Sequence, residues 1–95
     1  MHATIRKYRT SQAERLSQAV NDGFARNGPP TGLVAYYAID TGDGEWASFS
    51  IFETEEQARH STAEAAEWAR EHVAPLLESP PEVTAGRIVV RQGQG

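Results

Sequence analysis

The chain reads as an α+β sandwich, with a four-stranded antiparallel sheet backed on one face by two helices, in the order β-α-β-β-α-β. Three observations predict it. Four segments rich in β-branched and aromatic residues are interleaved with two amphipathic segments. Each amphipathic segment opens on a capping-box signature, "SQAE" (Ser11–Glu14) and "TEEQ" (Thr54–Gln57). The two middle strands are joined by "TGDG", whose Asp43-Gly44 pair is a strong hairpin signal. With right-handed crossovers this order gives the ferredoxin-like arrangement.

Each element has its own warrant. "HATIRKYR" (His2–Arg9) alternates and predicts the first strand. Ser11 reads as an N-cap. Ala13, Leu16, Val20 and Phe24 then share one side at helical spacing, and "GPP" from Gly28 ends that helix near Asn27. "GLVAYYAID" (Gly32–Asp40) and "EWASFSIFE" (Glu45–Glu53) are the hairpin strands. The second helix starts after Thr54, with Glu55 and Glu56 at the positive end of its dipole, and runs to about Val73, ahead of Pro75. "PLLESPPE" is a connector with room for one helical turn, and "EVTAGRIVVRQ" (Glu82–Gln92) is the fourth strand. The span 1–95 reads as one domain, with 92–95 ("QGQG") a frayed tail.

Composition bounds the function. The chain has 95 residues, 39% of them hydrophobic, and a net charge of −4, so it can bury a modest core. No basic cluster exceeds "RKYR", which argues against a nucleic-acid partner. There is no Cys, hence no disulfide, thiolate metal site or Cys nucleophile. The polar start and the lack of a long apolar run predict a soluble, cytoplasmic protein with no membrane partner.

The hairpin strands carry apolar residues on both faces. A flush four-residue loop places Val34, Tyr36, Ala38, Ala47, Phe49 and Ile51 on one side, and Leu33, Ala35, Tyr37, Ile39, Trp46, Ser48, Ser50 and Phe52 on the other. Neither set is a solvated face. The expectation is a homodimer, with a second copy covering the face away from the helices.

The second helix can be read by phase. Ala58, Thr62, Ala65, Ala66, Ala69 and Val73 form its inward stripe, made of small residues. Ser61, Trp68 and His72 border that stripe, whereas His60, Glu64, Glu67 and Glu71 turn away. The His60–Glu64 spacing suits a metal pair but lacks a third ligand, so no metal is expected. Trp68 and His72 are candidate site residues, with Tyr36, Tyr37, Phe49 and Ser61 as candidate ligand contacts and Arg87 as a counter-charge. The bland alternative is that Trp68 packs and His72 caps a helix end. No dinucleotide, P-loop or nucleophile-elbow pattern is present.

The element order, "GLVAYYAIDTGDGEWASFSIFET", "AEAAEWAREHVAPLL" and "PPEVTAGRIVV" together resemble the dimeric α+β barrel superfamily. Within it, the chain looks most like small bacterial proteins of the antibiotic-biosynthesis-monooxygenase kind. The resemblance implies a homodimer, with Trp68 as a functional position, and oxidation of a planar aromatic or quinol without a cofactor; for such an enzyme His72 is the base candidate among these residues, with no family position behind it. It equally accommodates a non-catalytic or stress-responsive binding dimer, or a purely structural one. The chain departs from the polyketide-oxygenase pattern, with Glu64 where an Asn is expected and Ala74 where a Tyr is expected. It departs from the heme-degrading pattern as well, having no Asn in the first strand and Glu78 in place of a His.

Overall fold

In the computed structural model, which describes residues 1–93, the elements are β1 (His2–Arg9), α1 (Ala13–Asn27), β2 (Leu33–Asp40), β3 (Glu45–Phe52), α2 (Glu55–His72), a 3-10 turn (Ala74–Leu76) and β4 (Glu82–Arg87). The four strands form one sheet in the order β2-β3-β1-β4, and every neighbouring pair is antiparallel. This is the predicted β-α-β-β-α-β architecture. No helix among the described residues is long and apolar enough to cross a membrane.

Two boundaries differ from expectation. Ser11 does not cap α1; the cap position is Gln12, with no side-chain cap bond. The neighbouring Thr10 organises this corner instead. Its backbone N–H donates to Gly44 O, its hydroxyl donates to Leu76 O at 2.6 Å and accepts from Gln12 N–H at 2.9 Å, and it is 1% exposed. With the chain tied to the hairpin and the 3-10 turn, Ser11 is held outside the cap position. β4 ends at Arg87, short of the expected Gln92, where its pairing with β1 ends. Arg87 pairs with His2, Ile88 N–H reaches Met1 O, and Val89 and Val90 are left exposed. The expected frayed tail, 92–95, lies in part outside the described residues. By contrast, the Thr54 capping box is complete: Thr54 Oγ1 accepts from Gln57 N–H, and Gln57 Oε1 accepts from Thr54 N–H.

The hairpin register corrects the face assignment. Thr41 is not part of a flush loop. Its N–H bonds to Glu45 O, its hydroxyl reaches Asp43, and the turn closes over Gly42–Asp43–Gly44, where both glycines adopt positive φ. Asp40 therefore pairs with Trp46 rather than with Glu45. A one-residue slip moves every side chain of a strand to the other face. Tyr36 and Ala38 thus share the helix-covered face with Trp46, Ser48, Ser50 and Phe52, while Ala35, Tyr37 and Ile39 join Ala47, Phe49 and Ile51 on the open face. A bulge between Leu33 and Ala35 returns Leu33 to the covered face opposite Phe52.

The core is small. Leu16, Trp46 and Val73 form one buried cluster, with Tyr8, Ala13, Val20, Ala69, Leu76 and Leu77 packed around them, and Phe52 and Ala58 are buried apart from it. Trp46 Nε1 donates to Ser17 Oγ on α1 at 3.0 Å, and the Tyr8 ring meets the indole edge to face at 5.4 Å.

The caps give a direct check by urea unfolding. Ser11→Ala leaves stability within about 0.5 kcal/mol, Thr54→Ala costs about 1 kcal/mol, and Thr10→Val, which strips two buried hydrogen bonds, costs about 2 kcal/mol.

Candidate functional site

Away from that core, the space between the helices and the sheet is not filled. A cavity of about 600 Å³ runs beneath α2. Its floor is the covered face of the sheet, with Thr4, Arg6 and Tyr8 from β1, Tyr36 from β2, and Ser48, Ser50 and Phe52 from β3. Its sides are Val20, Gly23 and Phe24 of α1 and Ser61, Thr62, Ala65, Ala66, Trp68 and Ala69 of α2. The small inward stripe on α2 makes this space. Of its residues only Ala58 and Val73 are buried, and Ala65 and Ala66 face the opening instead of reaching the sheet.

Trp68 joins the two helices. Its indole edge lies against Gly23 of α1, so closely that a Cβ at position 23 would stand 2.9 Å from Nε1. The Arg26 guanidinium lies 5.8 Å from the indole centroid, and the His72 ring lies against it at 4.0 Å. Nε1 is buried with no acceptor among the described residues. An unpaired buried donor costs about 1–3 kcal/mol, so stability alone does not account for a Trp here.

The floor is rich in hydroxyls. Thr4, Ser48 and Ser50 are buried, and Arg6 Nη2 donates to Thr62 Oγ1 across to α2 at 2.9 Å. Tyr36 is half-buried, and its ring meets Phe24 at 4.8 Å. Burial pushes its phenol from 10.0 up to about 12, against the opposing pull of a hydrogen bond with Ser48 and the charge of Arg6. Tyr36 is therefore a neutral donor at any physiological pH, and no base.

The sequence-predicted residues separate cleanly. Trp68, Tyr36 and Ser61 line the cavity. Tyr37 and Phe49 do not; the hairpin register puts them on the open face, where Tyr37 is 64% exposed. Arg87 ends the edge strand β4 opposite His2, outside the cavity wall. His72 is also off the wall, with Nε2 3.7 Å from Glu71 Oε2 and its ring against Trp68 from outside. His60 pairs with Glu64 at 3.5 Å on the exposed side of α2. Among the described residues no three His, Cys, Asp or Glu side chains come together as a metal site. Arg6, Ser48, Ser50, Phe24 and Gly23 line the cavity as well, beyond the contacts expected from sequence. The available signal was the period of β1: Thr4, Arg6 and Tyr8 alternate onto the face that two helices must cover.

Two measurements follow. Gly23→Ala gains up to about 1 kcal/mol of helix propensity but forces the Trp68 indole aside, at about 1–3 kcal/mol, so the variant is less stable and its Trp emission shifts. In absorbance titration one of the three tyrosines ionises near pH 12 while the protein stays folded. The unfolded phenol ionises near 10, so the Tyr36 contribution to stability is complete below that pH and is lost between about 10 and 12.

No family model and no curated protein matches the sequence. Solved structures do. A Nitrosomonas europaea protein of unknown function is 16% identical with a TM-score of 0.79, over 99% of this chain and 94% of its own. A second protein of that organism, provisionally named an antibiotic biosynthesis monooxygenase, is also 16% identical with a TM-score of 0.78, over 95% of this chain and all of its own. Rv0793 of Mycobacterium tuberculosis is 18% identical with a TM-score of 0.77, over 97% and 98%. At these identities the shared property is the fold, and this chain has the ferredoxin-like α+β fold of the antibiotic-biosynthesis-monooxygenase-like structures.

Proposed function

We propose that this chain is a cytoplasmic homodimer whose protomers each bind a small planar aromatic or quinol beneath α2 and oxidise it as a cofactor-independent monooxygenase. The carrying observation is the cavity itself: about 600 Å³, walled by Trp68, Phe24, Tyr36 and Phe52 and floored by hydroxyls. Flat rings suit aromatic walls, and hydroxyls fix a ring's oxygen substituents. In this reaction the ionised substrate passes an electron to oxygen, and the protein supplies a dry, oriented site. The balance closes without added reductant. A phenolic ring with a para C–H reacts with O2 to give the quinone and H2O: one oxygen atom becomes the new C=O, the other leaves as water with the C–H and O–H hydrogens, and all four electrons come from the substrate.

A specific observation favours a second reading, a non-catalytic binding protein. The titratable groups on the wall are Arg6, Tyr8, Tyr36 and Glu64, and Tyr36 holds its proton to about 12. Glu64 is at the mouth, paired with His60. No histidine faces the ligand space, so His72 has no direct route to a substrate proton.

The dimer reading rests on the open face. Ile5, Ala35, Tyr37, Ile39, Phe49 and Ile51 lie together on the side of the sheet away from both helices. Tyr37 and Ile39 are 64% and 49% exposed, and exposed Val89 and Val90 extend past the sheet. A contiguous apolar patch of this kind is a protein contact rather than a solvated surface. A second sheet packed on it at about 10 Å removes it from water.

Three experiments test these readings. Light scattering finds a dimer at micromolar concentration, and the double substitution Tyr37→Asp with Phe49→Asp gives a monomer; a monomeric wild type contradicts the assembly. In a screen of aromatic quinols and heme, wild type binds a quinol and Trp68→Ala weakens it about tenfold or more, whereas His72→Ala stays within about twofold. Equal binding by wild type and Trp68→Ala removes the pocket assignment. Oxygen uptake with the bound quinol decides between enzyme and binder.

A further inference from the structure

Arg6 lies mid-strand in β1 on the covered face, opposite Ser48 of β3 and Val83 of β4. Its hydrogen bond to Thr62 carries the guanidinium across the gap between sheet and α2, so the group stands on the cavity wall. Among the described residues Arg6 joins no ion pair. The one carboxylate on the wall is Glu64, 65% exposed at the mouth, with Oε1 3.5 Å from His60 Nε2 on the outer side of the helix. The cavity therefore presents one fixed positive charge among aromatic rings and hydroxyls, with no acid set against it. Guanidinium has five donor hydrogens, and Thr62 takes one. Arg6 is half-buried and its bond to Thr62 is exposed, so the remaining donors are accessible from the opening, and the group that matches their fork is a planar anionic oxygen group.

A second observation places the Tyr36 hydroxyl in the same region. Burial pushes its phenol up to about 12, and among the effects opposing that is the charge of Arg6. Geometry puts the two on neighbouring parts of the floor: both line the cavity, Arg6 opposite Ser48 and Tyr36 opposite Ser50 on β3.

We infer that the ligand carries an anionic oxygen on its planar ring system, as a carboxylate or an ionised phenol or enol, and that Arg6 is the residue that recognises it. The inference rests on the ligand-binding reading above and narrows it to a substrate class. It also addresses the missing base. When the ligand is an acidic phenol, its proton leaves to water and the electron pair stays on the oxygen, held by Arg6. Stabilising the anion lowers the phenol's pKa in the site and raises the fraction of the electron-rich form at neutral pH.

The test uses matched probes in isothermal titration calorimetry at pH 7. Anthraquinone-2-carboxylate and anthraquinone-2-carboxamide share size and shape and differ in charge. Wild type is expected to prefer the carboxylate by about tenfold or more, as a charge-assisted hydrogen bond predicts. Arg6→Gln keeps a donor for Thr62 but removes the charge; it is expected to bind carboxylate and carboxamide alike, losing the preference, which Arg6→Lys restores in part. Circular dichroism verifies that each variant is folded. 2-Hydroxyanthraquinone, titrated from pH 6 to 9, distinguishes the source of the charge: binding that tightens as the hydroxyl ionises, in wild type but not in Arg6→Gln, identifies a phenolate ligand. A carboxylate preference without that tightening identifies a carboxylate ligand. Equal binding of both pH 7 probes by wild type, or a preference that survives Arg6→Gln, overturns the inference and leaves the cavity assignment standing. Binding of no probe overturns both.

Discussion

The structure depends on a shortage of side-chain volume between α2 and the sheet. Two layers of secondary structure sit about 10 Å apart, and ordinary interiors fill that gap to crystal density. Here α2 offers Thr62, Ala65, Ala66 and Ala69 to the gap, and the sheet answers with Thr4, Ser48 and Ser50. There the Arg6–Thr62 hydrogen bond spans the gap, and the small side chains leave the space beside it open. The buried cluster of Leu16, Trp46 and Val73 lies at one end, where Thr10 ties three chain segments together. That end carries the fold, and the other is left as a space lined with rings and hydroxyls. A polar-floored void of this size holds solvent or a ligand.

The two tryptophans divide accordingly. Trp46 is a structural residue in every respect: 2% exposed, hydrogen-bonded to Ser17, and edge-on to Tyr8. Trp68 is held less economically, with an unpaired Nε1 pressed against Gly23 and its faces near Arg26 and His72. It links the helices over the cavity and forms part of its wall. Positions that break local rules without adding stability are where function concentrates. His72 fits this picture as a support for the indole, acting from outside the ligand space.

The fold was legible in the sequence because its signals are local. Alternation in "HATIRKYR", the Thr54–Gln57 capping box, and the Gly-Pro-Pro stop after Asn27 each act within a few residues. The phase of α2 was equally legible, and it placed Trp68 at the border of an Ala-lined face. The register of the hairpin was not. It turns on whether Thr41 belongs to the loop or pairs with Glu45, a single hydrogen bond that decides the face of Tyr36 and Tyr37 alike. A flush loop puts Tyr36 on the face of Phe49, whereas the actual register puts it with Trp46 and Ser48. Arg6 was hidden for a related reason: "RKYR" reads as solvated charge until the covered face of β1 is known. The cap of α1 was misread because a tertiary contact, Thr10 with Leu76, overrode a local motif.

The assignment of distinct roles to the two indoles has a direct readout. In a nitrogen–proton correlation spectrum the side-chain N–H groups of Trp46 and Trp68 give two resolved signals. Titration with anthraquinone-2-carboxylate is predicted to move the Trp68 indole signal, with the amides of Gly23 and Ser50, and to leave the Trp46 indole in place. An unmoved Trp68 signal, or shifts confined to Tyr37, Phe49 and the open face of the sheet, would contradict the account.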